Sequence, residues 1–107
     1  CVENCDIPLK TRRCGCGAYW RPDIVWFEDS LPEATIESAV SAFRQCDLLV
    51  SVGTSGVVFP AADLPHIAMD AGAVTVEINL EDTAVSAYYR YRLRGRASEM
   101  LALMNQD

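Results

Sequence analysis

Four of the five cysteines lie within the first sixteen residues, and their spacing suggests metal chemistry. Cys1 and Cys5 form one pair and Cys14 and Cys16 a second, with eight residues between the pairs. Four thiolates satisfy the tetrahedral coordination of Zn²⁺ and leave no open position for a catalytic water. The spacing therefore predicts a structural zinc site. Disulfide bonds or an incomplete site remain alternatives, because one residue separates Cys14 from Cys16 where two are usual.

A second group of candidate residues follows two apolar segments. Leu48–Val52 is typical of a strand buried in a parallel sheet, and it runs directly into Gly53, Thr54 and Ser55. Parallel sheets bind ligands beyond the carboxyl ends of their strands, where glycine turns let backbone N–H groups approach a phosphate. Asn79 ends the next apolar segment and could bind a ribose hydroxyl. The alternative is that these residues only shape turns and cap helices.

The remaining reactive residue types form no recognisable catalytic set. Cys46 precedes an apolar run and is interpreted as a small buried residue, and His66 as an ordinary helix residue. We find no Ser/His/Asp triad, paired-carboxylate site or phosphate-binding Walker loop. The sequence therefore contains no evident general base.

The elements that must position these residues alternate between strands and helices. The apolar spacing of Ile36, Ala39, Val40 and Phe43 predicts a helix after Pro32. Residues 82–91 remain ambiguous. This alternation predicts an α/β fold. The other expected elements are strands at Ile24–Phe27, Leu48–Val52 and Val74–Leu80, and helices at Pro60–Ala71 and Ala97–Met104.

Composition excludes several classes of protein. The 107 residues suffice for one small core, and the net charge of −6 disfavours nucleic acids and anionic membranes as partners. No apolar stretch approaches the roughly 20 residues of a membrane-spanning helix. No signal peptide is visible, so we expect a cytoplasmic protein, and the start at Cys1 suggests part of a longer chain. The arginines at positions 90, 92, 94 and 96 are interpreted as solvent-facing.

Three segments in order resemble the sirtuins: the cysteine pairs leading into RPDIVWF, then CDLLVSVGTSGVVFPAA, then VEINLE. The resemblance covers essentially the whole chain and is closest to the bacterial, class III-like branch. It implies the C-terminal half of a Rossmann-like parallel sheet with helices, preceded by a small zinc-ribbon segment. Residues 1–22 would form part of the zinc module and residues 23–107 the distal part of the NAD-binding domain.

The resemblance also implies roles for individual residues. It implies NAD and structural zinc as cofactors and an acyl-lysine protein or peptide as substrate. The NAD-binding positions would be Gly53, Thr54, Ser55, Asn79, Leu80 and Ala97. The peptide-binding positions would be Val25, Phe27, Glu28, Val57 and Phe59, and the zinc ligands Cys1, Cys5, Cys14 and Cys16.

Two departures and several missing motifs qualify this expectation. Glu28 and Asp29 follow the Trp-Phe pair where sirtuins usually have Gly-Glu, and the second cysteine pair is one residue shorter. The family's GAG motif, Gln-Asn-x-Asp segment and His-Gly with the general base do not occur here. The family chemistry transfers the acyl group from lysine to ADP-ribose and releases nicotinamide, so this chain alone is expected to be inactive.

Two alternatives from other classes remain open. The chain could be a non-catalytic module that binds a nucleotide or another subunit, or a structural protein. An exposed edge of a half-sheet would also permit self-association.

Overall fold

The computed structural model describes residues 11–27 and 29–106. The chain divides into two compact units, Cys1–Leu31 and Pro32–Asp107. The functional division at residues 22 and 23 stays a prediction, as do the structures expected for residues 1–10.

The second unit is a three-stranded parallel sheet with helices, which confirms the predicted α/β class. The strands stand in the order β1-β2-β3, and their register pairs Val52 with Ile78 and Asn79 with Arg94. Their carboxyl ends therefore lie along one edge. The elements in chain order are α1 (Glu33–Gln45), β1 (Leu48–Val52), a 3₁₀ helix (Ala61–Asp63), α2 (Leu64–Asp70), β2 (Val74–Asn79), a 3₁₀ helix (Ser86–Tyr88), β3 (Tyr91–Arg94) and α3 (Ala97–Met104).

The core of this unit is centred on β2. Val76 and Ile78 are 6% and 1% exposed, and Glu77 from the opposite face is 1% exposed. Burial on both faces is expected for the middle strand of a parallel sheet. The outer strand β1 is more open, with Leu48 and Val52 exposed at its ends.

Helix α1 follows the predicted periodicity, because the positions that recur at helical spacing are the half-buried ones. It begins after Pro32 and ends at Gln45, where Cys46 takes an extended conformation. The predicted helix at 60–71 is interrupted. A 3₁₀ turn precedes α2, and Pro65 lies in the first turn of α2, where its missing N–H breaks no helical hydrogen bond. The half-buried positions of α1 are Ile36, Ala39, Val40 and Phe43.

One predicted strand is absent, and one strand lies where the sequence predicted none. Ile24–Phe27 is not a strand, and Phe27 is 93% exposed. The segment ends in a turn in which the Asp29 N–H donates to the Trp26 carbonyl (3.0 Å) and the Asp29 carboxylate accepts from the Trp26 N–H (3.2 Å). The third strand is Tyr91–Arg94, within the segment interpreted as solvent-facing arginines. Helix α3 has its predicted bounds, but only Met100 of its expected apolar face is half-buried.

The described part of the first unit contains a short hairpin. Arg13 and Tyr19 form an antiparallel bridge, and the Cys14 N–H donates to the Ala18 carbonyl (2.9 Å). The Arg13 guanidinium stacks on the Tyr19 ring at 4.0 Å and donates to the Gly17 carbonyl (2.6 Å). The hairpin thus holds Cys14 and Cys16 in one tight turn. No helix among the described residues is long and apolar enough to cross a membrane.

Candidate functional site at the carboxyl edge of the sheet

The turn after β1 begins with a glycine in a conformation that other residues rarely adopt. Gly53 has φ +64°, and its N–H donates to the Ile78 carbonyl at 2.9 Å, which continues the β1–β2 ladder past the end of β1. The Thr54 hydroxyl accepts from the Gly56 N–H at 3.1 Å. The backbone of Gly53, Thr54 and Ser55 is therefore presented at the edge of the sheet in a fixed turn.

Asn79 connects this turn to the turn after β2. Its Nδ2 donates to the Thr54 carbonyl at 2.9 Å, and its Oδ1 accepts from the Leu80 N–H at 2.9 Å. One N–H and one oxygen lone pair of the amide remain for a further partner. The local contact of Asn79 with the Leu80 backbone and the predicted ligand contact are therefore compatible in one side chain.

The turn after β3 joins the same arrangement. The Gly95 N–H donates to the Asn79 carbonyl at 3.0 Å, and α3 begins at Ala97 two residues later. The structure thus brings together five predicted NAD-binding residues on adjacent turns, with exposed Ala97 at the start of α3 completing the predicted set. These five are Gly53, Thr54, Ser55, Asn79 and Leu80.

A buried charged cluster lies directly behind the turn after β2. The Glu77 carboxylate accepts hydrogen bonds from Ser86 Oγ (2.6 Å), Thr83 Oγ1 (3.0 Å) and Arg94 Nη2 (2.6 Å). Arg94 also donates to Asp82 Oδ1 through Nε (2.9 Å) and Nη2 (2.5 Å). A buried carboxylate needs such partners, because an isolated charge in the interior is very costly.

These contacts determine the protonation of the cluster. Burial raises the pKa of Glu77, but the hydrogen bonds from Ser86, Arg94 and Thr83 outweigh burial and hold that pKa below its ordinary value. The hydrogen bonds that Arg94 donates lower the pKa of Asp82, and donation to Asp82 and Glu77 raises the pKa of Arg94. The cluster is therefore fully ionised at neutral pH.

Sequence reasoning missed this cluster. The informative signal was Glu77 itself, a charged residue inside the otherwise β-branched segment Val74–Ile78, because a buried strand tolerates a carboxylate only with a partner. Its cationic partner Arg94 lies seventeen residues away and was wrongly interpreted as solvent-facing.

An open cleft of about 250 Å³ lies beside β1, and Thr54 in the turn after β1 is one of its lining residues. Its walls are mainly apolar, and Gly56 and Ser51 contribute to them. The other lining residues include Phe43, Leu49, Val58, Leu64 and Tyr89.

Comparison with known proteins identifies the relationship. The model of the Sir2 family matches residues 2–60. A curated relative, NAD-dependent protein deacylase 4 of Pseudomonas syringae pv. tomato, is 46% identical over 100 residues, which are 94% of this chain and 38% of that protein. The chain belongs to the Sir2 family. A deacylase of Pyrococcus furiosus is 45% identical over 86% of this chain and 37% of its own length.

Solved Sir2 structures agree with this assignment. One reported as the structural basis for the mechanism and regulation of Sir2 enzymes has a TM-score of 0.79 and 38% identity, and it matches 86% of this chain and 38% of its own. A Sir2 homologue in complex with 2′-O-acetyl ADP ribose has a TM-score of 0.80 and 35% identity, over 92% of this chain and 39% of its own. The sirtuin resemblance and the Rossmann-like fold are confirmed. The chain spans about two fifths of the length of these Sir2 relatives.

The predicted peptide-binding residues of this Sir2 chain lie in both units. Val57 and Phe59 are 53% and 70% exposed in the loop that follows the Gly53 turn. Val25 is 49% exposed and lies in the first unit with Phe27, whereas Glu28 is outside the described residues. Asp29, one of the departures from the family pattern, has its pKa lowered by a hydrogen bond from Arg21 and by the Trp26 N–H. Asp29 is therefore ionised when its side chain accepts the hydrogen bond from the Trp26 N–H that closes the turn.

The described residues supply half of the predicted zinc ligands. Cys14 and Cys16 form a disulfide with a Cα–Cα distance of 5.4 Å, and Cys1 and Cys5 lie outside the described residues. Among residues 11–27 and 29–106, no three candidate metal ligands come together. The hairpin places two sulfurs side by side, and as thiolates they fit two positions of a tetrahedral zinc site. The zinc site stays a prediction.

Proposed function

We propose that this chain is part of an NAD-dependent protein-lysine deacylase and that the carboxyl edge of its sheet binds the ADP-ribose portion of NAD. The observation that carries the proposal is the side chain of Asn79, which braces the Gly53–Ser55 turn through Thr54 and still has hydrogen-bonding capacity for a hydroxyl. Curated relatives are named NAD-dependent protein deacylases, and one similar structure contains 2′-O-acetyl ADP ribose.

The residues of this chain would act by binding and orientation. The backbone of Gly53, Thr54 and Ser55 would face phosphate and the nicotinamide-side ribose, and Asn79 and Leu80 would contact the adenosine ribose. Ala97 would lie near adenine. NAD would supply the ADP-ribosyl group that accepts the acyl group when nicotinamide leaves. A hydroxyl bound by the spare Asn79 amide atoms would be oriented by a group that is already fixed.

The substrate side of the proposal uses exposed apolar residues. Val57 and Phe59 would contact an extended acyl-lysine peptide, together with Val25, Phe27 and Glu28. Similar Sir2 structures have been solved with acetylated and propionylated peptides. Zinc would be held by Cys1, Cys5, Cys14 and Cys16, which requires the Cys14–Cys16 pair in its reduced form.

We further propose that this chain alone does not catalyse and that it acts in the cytoplasm. The proposed general base lies in the family's His-Gly motif, and the one histidine here, His66, is in α2 and packs edge-on against Tyr88 with ring centroids 5.5 Å apart. Activity should therefore require a polypeptide that supplies the His-Gly motif.

The proposal is tested by titrating the chain with ADP-ribose in a calorimeter, with Asn79→Ala and Asn105→Ala as a matched pair. Asn105 is the exposed residue that follows α3, and its substitution removes the same amide away from the sheet edge. We expect binding to weaken about tenfold for Asn79→Ala, the effect of losing roughly 1.4 kcal/mol, and to be unchanged for Asn105→Ala.

Catalysis is tested separately by adding the region of the Pseudomonas syringae deacylase that lies outside its match to this chain. Deacylation of an acetylated peptide only in the mixture supports the enzyme. Tight nucleotide binding by the chain with no activity in the mixture would favour the non-catalytic binding module instead.

A further inference from the structure

One guanidinium group joins three parts of the chain behind the candidate site. Arg94, at the end of β3, contacts Glu77 in β2, Asp82 in the loop after β2, and Ser86 in the following 3₁₀ helix (3.1 Å from Nη2 to Oγ). Ser86 is 2% exposed and the Glu77 side chain 2% exposed, whereas the Asp82 side chain is 75% exposed. Arg94 therefore links a buried anchor to an exposed loop.

The loop after β2, which Arg94 contacts through Asp82, follows directly on the candidate ribose contacts Asn79 and Leu80. Glu77 and Asn79 lie two residues apart on the same face of β2, and Arg94 is the register partner of Asn79 on β3. Asp82 follows Asn79 by three residues. The turn Asn79–Asp82 is thus fixed at its start by strand pairing and at its end by the Arg94–Asp82 ion pair.

The chemistry of the cluster suits a positioning role. Thr83 Oγ1 and Ser86 Oγ lie 3.1 Å apart, and the Thr83 N–H donates to Ser86 Oγ at 2.8 Å. The loop thus folds over the Glu77 carboxylate. Both Glu77 carboxylate oxygens accept hydrogen bonds from groups of this cluster.

We propose that Arg94 is a positioning residue that holds the Asn79–Asp82 turn in the conformation that recognises the 2′-hydroxyl of an adenosine ribose. This inference rests on the proposed function, because it assumes that an adenosine ribose binds at Asn79 and Leu80. Arg94 touches no ligand in this scheme. It acts through Asp82 and Glu77 on the backbone that presents Asn79.

The test compares ADP with 2′-deoxy-ADP, because only recognition of the hydroxyl distinguishes these two probes. The variants are Arg94→Gln, Arg94→Lys and, as a charge-matched control, Arg92→Gln. Arg92 is exposed, lies two residues earlier on β3, and forms no ion pair within the described residues. Its charge also lowers the pKa of Asp82, so Arg92→Gln removes a nearby positive charge and leaves the Arg94 hydrogen bonds in place. Dissociation constants are measured by calorimetry at a temperature where each variant is fully folded.

For the wild type and Arg92→Gln we expect ADP to bind about tenfold more tightly than 2′-deoxy-ADP, the effect of one well-placed hydrogen bond. Arg94→Gln should reduce this ratio to about twofold or less, and Arg94→Lys should recover part of it because the positive charge remains. A lower unfolding temperature with an unchanged ratio would show a purely structural role for Arg94 and overturn the inference.

Asp82→Asn keeps the test decisive if Arg94→Gln does not fold. This variant leaves the buried Glu77–Arg94 pair intact and weakens only the exposed end of the link. It should also reduce the ratio, and a ratio equal to that of the wild type overturns the inference. If the wild type binds neither ADP-ribose nor ADP, the proposed function itself fails, and the positioning role fails with it.

Discussion

Gly56 is the position where a single added methyl group should be most informative about the fold of the site. Its φ is +67°, a left-handed conformation, and a Cβ atom there would lie 2.4 Å from Cγ2 of Val85. Gly53 has nearly the same φ, +64°, but nothing lies within 4 Å of its Cβ position. The two glycines therefore separate the cost of backbone strain from the cost of a steric clash.

The expected free energies follow from these two terms. Gly53→Ala should destabilise the chain by about 1–2 kcal/mol, the cost of placing an L-residue in the left-handed region. Gly56→Ala should cost about 2–5 kcal/mol, because overpacking against a β-branched side chain adds about 1–3 kcal/mol. Val85 cannot swing its methyl groups away freely, since two heavy atoms on Cβ restrict its rotamers.

The assay is urea unfolding followed by far-UV circular dichroism. Tryptophan fluorescence is unsuitable because Trp20 and Trp26 both lie in the first unit. The double variant Gly56→Ala/Val85→Ala completes a mutant cycle with the two single variants. Because truncation of Val85 removes the clash, the double variant should be destabilised by about 1–3 kcal/mol less than the sum of the two single substitutions. Equal destabilisation by Gly53→Ala and Gly56→Ala, with no coupling to Val85, would refute the reasoning.

Three further predictions concern the core, the buried carboxylate and the cysteines. Ile78→Ala should lower the free energy of unfolding by about 2–5 kcal/mol, because Ile78 is 1% exposed in the central strand, and a loss below 1 kcal/mol in urea unfolding would contradict that burial. Glu77→Gln should be less stable than the wild type at pH 7. Since the folded-state pKa of Glu77 is lowered, its stabilisation is present above the unfolded-state pKa and is lost as the pH falls below about 4, so the two unfolding curves should converge in acid. Metal analysis of the reduced chain should find zinc, and Cys14→Ala/Cys16→Ala should abolish it; equal zinc content in both proteins would exclude these two ligands.

The arrangement of the candidate site could be predicted because parallel strands share a direction. Once Leu48–Val52 and Val74–Leu80 were interpreted as neighbouring parallel strands, Gly53 and Asn79 had to lie at the same edge. The hydrogen bond from Asn79 to Thr54 could not be predicted in this way. It depends on side-chain orientation across a separation of 25 residues.

The errors have related physical causes. Ile24–Phe27 has the composition of a strand, but β-propensity reflects packing against a paired neighbour, and these residues are exposed in a turn closed by Asp29. Tyr91–Arg94 is a strand despite its arginines, because an edge strand tolerates charge on its open side. Local composition could not reveal either the absent neighbour of the first segment or the presence of β2 beside the second.

The double use of the Asn79 amide has a consequence for the entropy of binding. A side chain that is free in solution loses about 0.5–1.5 kcal/mol of rotamer freedom when a ligand immobilises it. Asn79 has already lost that freedom on folding, because Thr54 and Leu80 hold both ends of its amide. A hydroxyl that binds there meets a preorganised partner, and the two turns that it would contact are already joined by the hydrogen bond from Asn79 to Thr54.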